Sequence, residues 1–163
     1  MPLSFRSATP ADLESLLQMM RKLYDHDQVP FQEETSRRAS LLLMNEPRAG
    51  MLWVLEAEGS MAGYVVQTHG FSLEFGGWHG FIDELFIDEP FRGMGFGTAA
   101  VHHVEQACAA QGMTALLLEA DLQNERATRL YRSLGFHEHS RRLMMLAVNA
   151  TAQPQSAQPP HSA

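Results

Sequence analysis

A chain of 163 residues, 45% hydrophobic and 9% aromatic, fits one domain around a single core. Nineteen acidic against twelve basic residues give a formal net charge of −7, which argues against a general nucleic-acid-binding or anionic-membrane-binding surface. The single cysteine, Cys108, rules out an internal disulfide and a thiolate metal cluster, and it reads as a small packed residue on a helix.

The opening MPLSFRSATPADLE lacks the charged-then-apolar order of a signal peptide. No run reaches the roughly 20 apolar residues of a membrane span. A soluble, cytoplasmic chain is the expectation. LSFRSA (3–8) alternates as a strand. Thr9, Pro10 and Asp12 then form a helix start, with Leu13, Leu16, Leu17, Met20 and Leu23 giving one apolar stripe to about Tyr24. A second helix is predicted from Glu33 to Met44.

MLWVLEA (51–57), a turn at 58–60 and MAGYVVQTHGF (61–71) read as a hairpin, and GFIDELFI (80–87) as a further strand. A helix follows from about Gly97 to Gln111, closed by Gly112. ALLLEA (115–120) is a nearly continuous apolar strand, as expected where both faces are covered. Asn124 caps a helix to Leu134, ended by Gly135. Phe136 to His139 and LMMLAV (143–148) complete the predicted strands. Residues 149–163 contain no large apolar side chain and are expected to form a disordered tail behind a 1–148 domain.

PFRGMGFGTAAV (90–101) carries glycines at 93, 95 and 97 behind Arg92, between a strand and a helix. The first amides of a helix lack internal partners and its dipole makes that end positive, so glycines there open an anion site. Arg92 adds a fixed charge with forked donors. A Walker loop needs Gly-Lys-Ser/Thr, which is absent. The looser dinucleotide fingerprint is met by residues 95–100 with Glu119 downstream, but too little chain follows to build a nucleotide half-domain.

The third pattern, Arg-x-x-Gly-x-Gly at 92–97, resembles the GNAT superfamily of acetyl-CoA-dependent N-acetyltransferases. The resemblance extends over FRSATPADLESL, GYVV, IDELFIDEPFRGMGFGTAAV and LLLEADLQNERATRLYRSLGF, the last matching the family's Asn-x-x-Ala-x-x-x-Tyr and Leu-Gly-Phe. It implies an α/β fold (α+β in some schemes). A mixed, mostly antiparallel sheet of about six or seven strands would splay between strands four and five, flanked by about four helices. It implies that backbone groups of Leu85, Phe86 and Ile87 pair with the pantetheine arm of acetyl-CoA. Arg92, Gly93, Met94, Gly95, Phe96, Gly97 and Thr98 would hold the pyrophosphate, and Asn124 the arm near its thiol. Tyr131 would sit by the sulfur and protonate the departing thiolate.

For the general base, Glu84, Asp83 and Glu119 are equal candidates, with water relay open to each. Strand alternation would send Asp83 and Glu84 to opposite faces. In the segment 70–80, Glu74, Phe71, Phe75, Trp78 and His79 could form a cage for an organic cation, or an ordinary long hairpin. Glu74, Trp78, Asp83 and Glu84 are the candidate substrate contacts. Asp25, His26, Asp27, Glu33 and Glu34 would suit a polyamine, aminoglycoside or lysine-like amine.

The expected activity is acetyl transfer by direct attack of a small-molecule primary amine. Protein N-terminal or lysine acetylation, and a binding module without turnover, are the alternatives weighed. No metal is expected: His137 and His139 could share a strand face but lack a third ligand, and His102 and His103 diverge, so all read as solvated. A homodimer is compatible with the resemblance.

Overall fold

Chain order and sheet order coincide in the computed structural model, which describes residues 2–121, 124–139, 143–146 and 148. The elements are β1 (Leu3–Ser7), α1 (Leu13–His26), α2 (Glu33–Asn45), β2 (Gly50–Ala57), β3 (Ser60–Ser72), β4 (Gly77–Ile87), α3 (Phe96–Ala110), β5 (Leu116–Leu118) and α4 (Glu125–Ser133). β1 to β4 pair antiparallel, and β5 joins β4 in parallel after the α3 crossover. This is the mixed α/β architecture expected, with five strands rather than six or seven.

The two missing strands are a correction. Residues 136–139, 143–146 and 148 carry no strand, and Leu143, Met144, Leu146 and Val148 are 76–91% exposed. Apolar, strand-prone residues become a strand only when a neighbour supplies the ladder, and none does so among the described residues. The tail expected at 149–163 lies outside the described residues. β3 and β4 are longer than predicted, pairing out to Ser72 and Gly77, so most of the 70–80 segment is strand.

The first helix begins as the sequence indicated. The Asp12 carboxylate accepts from the Thr9 N–H at 2.7 Å and from the Thr9 hydroxyl at 2.8 Å, closing a Pro10–Asp12 turn ahead of α1. Arg6 donates both terminal nitrogens to Asp12, at 2.8 and 2.7 Å, and its Nε to Glu56 at 2.8 Å, tying β1 to the helix start and to β2.

The core lies in two layers. On one face Leu13, Leu16, Leu17 and Met20 of α1 pack on Leu52, Val54, Tyr64, Val66 and Phe86. On the other, Ala100, Val101, Val104 and Cys108 of α3 pack on Leu55, Val65 and Ile82. Simple alternation would put Ile82 and Phe86 on the same face. They occupy opposite faces because the β3–β4 register jumps from Val66↔Glu84 to Gln67↔Ile82, leaving Asp83 as the extra residue of a β-bulge.

Gly63 tests this packing. A Cβ there would lie 2.2 Å from the Phe86 carbonyl oxygen, a backbone atom that cannot step aside. Gly63→Ala should lower stability by about 1–3 kcal/mol, read as a reduced urea midpoint. An unchanged midpoint would show that β3 and β4 are less closely apposed than this.

Candidate functional site

The head of α3 is an open amide cradle. Gly93 and Gly95 adopt φ of 80° and 81°, the left-handed region that side chains avoid, so both shape the turn. Gly97 differs. Its φ is ordinary, and a Cβ there would meet only Leu130 Cδ2, at 3.7 Å. None of the described residues forbids a side chain at 97. The first helical hydrogen bond runs from the Ala99 N–H to the Gly95 carbonyl, so the Phe96, Gly97 and Thr98 amides precede it. No side chain caps them. Phe96 is buried and Met94 half-exposed, so their amides rather than their side chains are what this turn shares with its glycines.

The adjoining β4 edge is open. The β4–β5 ladder stops at Ile82↔Leu118, and β4 continues to Ile87 with that edge unpaired among the described residues. The Asp88 N–H bonds the Ala62 carbonyl, which makes Gly63↔Ile87 a non-hydrogen-bonded pair. Two residues back, Leu85 has the same phase. Leu85 and Ile87 therefore aim backbone groups at the open edge, whereas those of Phe86 turn toward β3. This refines the expectation that all three present themselves. Arg92 Nε donates to the Ile87 carbonyl at 2.9 Å and its guanidinium lies 5.5 Å from the Phe86 ring centroid, which holds the cation beside the cradle.

On the α1–α2 face of the sheet lies a cavity of about 420 Å³, lined by α1, α2 and β2–β4 and including both Asp83 and Glu84. The expected separation of those two carboxylates is thus corrected, because the bulge at Asp83 resets the alternation. Glu84 receives the Tyr24 hydroxyl on one oxygen and the Tyr64 hydroxyl on the other, each at 2.8 Å. Burial pushes the Glu84 carboxyl up, the two hydroxyls pull it down, and the net is upward. Burial, with Glu84 adjacent, raises both phenols, so they remain donors. Crowding also raises Asp83, yet its side chain reaches solvent, and that exposure dominates because water screens a carboxylate. Tyr24 and Tyr64 were not singled out as site residues from the sequence. Tyr24 ends the α1 stripe and Tyr64 lies in GYVV, where each reads as core.

Asn124 caps α4, its Oδ1 accepting the Ala127 N–H at 3.0 Å, which leaves Nδ2 to point elsewhere. Tyr131, seven residues on, is half-buried against Phe136 and the α3-side core, and burial raises its phenol. Its hydroxyl has no hydrogen-bond partner among the described residues. Glu119 is exposed, one residue beyond β5, where the pairing with β4 has ended.

Three other expectations change. The aromatics of the β3–β4 hairpin form no single cage. Phe71 meets Trp78 and Phe75 meets His79, and Trp78 and His79 alternate to opposite faces. Glu74 lies 3.9 Å from His139. Of the acids at and after the end of α1, Glu33 and Glu34 are already engaged, whereas Asp25 and Asp27 have no ion pair among the described residues. Glu33 pairs with Arg21 at 2.7 Å and with Arg37 at 3.0 Å, and Arg37 also reaches Glu34 at 3.8 Å. His103 is packed rather than solvated, stacked on Phe5 at 4.2 Å and edge-on to Trp53 at 4.5 Å, and burial lowers its pKa. Among the described residues no three His, Cys, Asp or Glu gather to hold a metal ion, and no helix is long and apolar enough to cross a membrane.

The Glu84 site makes a pH-dependent prediction. Its folded pKa lies above the ordinary 4.5, so the native state keeps a proton that the unfolded chain releases as pH rises. The stability Glu84 contributes is therefore full below that value and is lost as pH climbs to the raised folded pKa. Glu84→Gln removes this titration, so its urea midpoint should gain on the wild type as pH rises past the ordinary 4.5. A difference independent of pH would contradict a desolvated carboxyl.

Residues 17–136 match the model of the acetyltransferase (GNAT) family. An integron cassette protein from the mobile metagenome of Cole Harbour salt marsh is 32% identical, with a TM-score of 0.80 over 93% of this chain and 92% of that one. A predicted acetyltransferase of Clostridium acetobutylicum, whose crystal structure contains acetyl-CoA, shares the fold at a TM-score of 0.75 and 16% identity, over 89% of this chain and 96% of that one. An uncharacterised N-acetyltransferase of Methanocaldococcus jannaschii is 25% identical over 83% of this chain, which spans 61% of that relative's length. With a cradle of glycine-opened amides beside a released strand edge, and a family match over most of its length, the chain belongs to the GNAT family of acetyltransferases.

Proposed function

We propose that this protein transfers the acetyl group of acetyl-CoA to the primary amine of a small molecule by direct attack. The observation that carries the reading is the pairing of two openings: free amides at the head of α3 and a free edge on β4 directly before it. The residues fit the donor. Amides from Gly93 to Thr98 and the Arg92 cation suit a diphosphate, since anions are favoured at a helix N-terminus. Leu85 and the Ile87 N–H offer backbone groups for an extended amide-bearing arm to add as a strand would, the Ile87 carbonyl already receiving Arg92. The Asn124 side-chain amide and Tyr131 complete that side. Bound there, acetyl-CoA supplies an activated acyl group with a thiol leaving group.

Glu84 serves as the general base, removing a proton from the incoming ammonium directly or through water. Its raised pKa brings it closer to the working pH, where proton transfer is most effective. Asp83 attracts the ammonium at the cavity surface. An amide at the β4 edge near Leu85 receives the developing oxyanion, and Tyr131, kept protonated by burial, protonates the leaving thiolate. Glu119, exposed beyond β5, is the weaker candidate for the base. A concave cavity of about 420 Å³ beside Glu84, open to solvent on one side, is of a size that suits a small molecule.

A free-thiol assay with acetyl-CoA and a panel of small primary amines tests the reading. Amine-dependent thiol release supports it, and none across the panel rejects it. Tyr131→Phe should lower kcat by roughly a hundredfold and leave acetyl-CoA binding intact, measured by calorimetry. Equal loss of binding would make Tyr131 a packing residue.

Gly97→Ala separates fold from function. It should stabilise α3 by about 0.4–1 kcal/mol, because the site tolerates a methyl group sterically. The same methyl group should weaken acetyl-CoA binding about tenfold, the scale of one charge-assisted hydrogen bond. Unchanged affinity would place the diphosphate elsewhere.

A further inference from the structure

Resting on the acetyl-transfer reading above, we infer that the acceptor is a primary amine with one positive charge on an alkyl or aralkyl body and no anionic group. Three independent observations lead there. First, the walls of the cavity beside Glu84 are mainly apolar. Met20, Leu52 and Val66 form buried parts of it, while Leu42, 68% exposed, stands on the α2 side facing solvent. An exposed leucine on a cavity wall is matched by an apolar ligand body, which removes both surfaces from water.

Second, every charged residue lining the cavity is acidic: Glu46, Asp83 and Glu84. No lysine or arginine lines it among the described residues. A carboxylate or phosphate on the acceptor would lose its hydration there and face like charge. Amino acids and sugar phosphates are disfavoured on that ground.

Third, the acids outside the cavity add no second cation site within it: Glu33 and Glu34 are already neutralised, and Asp25 and Asp27, without an ion pair among the described residues, do not line it. Arg21 and Arg37 engage Glu33, and Arg37 also engages Glu14 and Glu34. Glu46 is exposed to water, so a second ammonium placed beside it would gain little. The desolvated Glu84, with Asp83 next to it, answers a single ammonium.

The test uses six-carbon amines that differ only at the far end: hexylamine, 1,6-diaminohexane and 6-aminohexanoate. In the thiol-release assay kcat/KM for hexylamine should exceed each of the others by at least about tenfold, the scale of one buried unsatisfied group. From propylamine to hexylamine it should rise about fourfold per methylene. Ala39→Trp, on the exposed side of the cavity, should narrow it and flatten that series. A flat series in the wild type overturns the inference, as does a preference for aminohexanoate. A preference for diaminohexane that Glu46→Gln abolishes overturns it in favour of a dication site. Calorimetry of hexylamine and aminohexanoate with the protein, with and without CoA, reads the cavity without turnover. Selective hexylamine binding with no thiol release supports the ligand chemistry and rejects acetyl transfer. Thiol release with other amines and no hexylamine binding does the reverse.

Discussion

One extra residue in β4 governs how the two halves of the site meet. Without the bulge at Asp83, Glu84 would face α3 and Phe86 would leave the α1–α2 layer. With it, Glu84 reaches the hydroxyls of Tyr24 and Tyr64, and Phe86 packs below them. Next to the bulge, the parallel ladder to β5 ends at Ile82. A strand that changes phase while a neighbour departs has a carboxylate on one side and free backbone groups along an edge. The functional reading depends on that coincidence within five residues of chain, 83–87.

The glycines of the 92–97 segment, alike in the sequence, do different things. Gly93 and Gly95 are demanded by the left-handed turn that brings the chain into α3. Gly97 is not demanded by the protein at all, since a methyl group would fit. A helix interior that forgoes a tolerated side chain loses some stability, and the compensating gain has to come from what lies outside the chain. Arg92 follows the same division. Its Nε is committed to the Ile87 carbonyl, which orients the guanidinium and leaves its terminal nitrogens free of that bond.

Ion pairing determines which acids can act on a ligand. Glu33 and Glu34 are conspicuous in the sequence, yet Arg37, four and three residues on, and Arg21 from α1 surround them. Glu84 looks no different from its neighbour Asp83 in the sequence. Among the described residues it is the one carboxylate held between two tyrosines, and burial raises it. Net charge describes the whole surface, and the local pairing describes the site.

Most of the fold was legible because it rests on local, periodic signals. The α1 stripe, the Thr9–Asp12 cap, the hairpin partners and the strand-glycine-helix unit all follow from side-chain spacing and backbone sterics. Residues 136–139, 143–146 and 148 form no strand, because apolar composition cannot supply a pairing partner. The hairpin aromatics were grouped by sequence proximity and separated by the pleat. By itself the sequence determined the elements, the amide cradle at the head of α3 and the family resemblance, since glycines, caps and periodicity act within a few residues. Tertiary structure alone decided the face Glu84 occupies, its two tyrosine partners and the cavity. Each depends on register and on contacts between residues 20 to 60 positions apart, which no local pattern encodes.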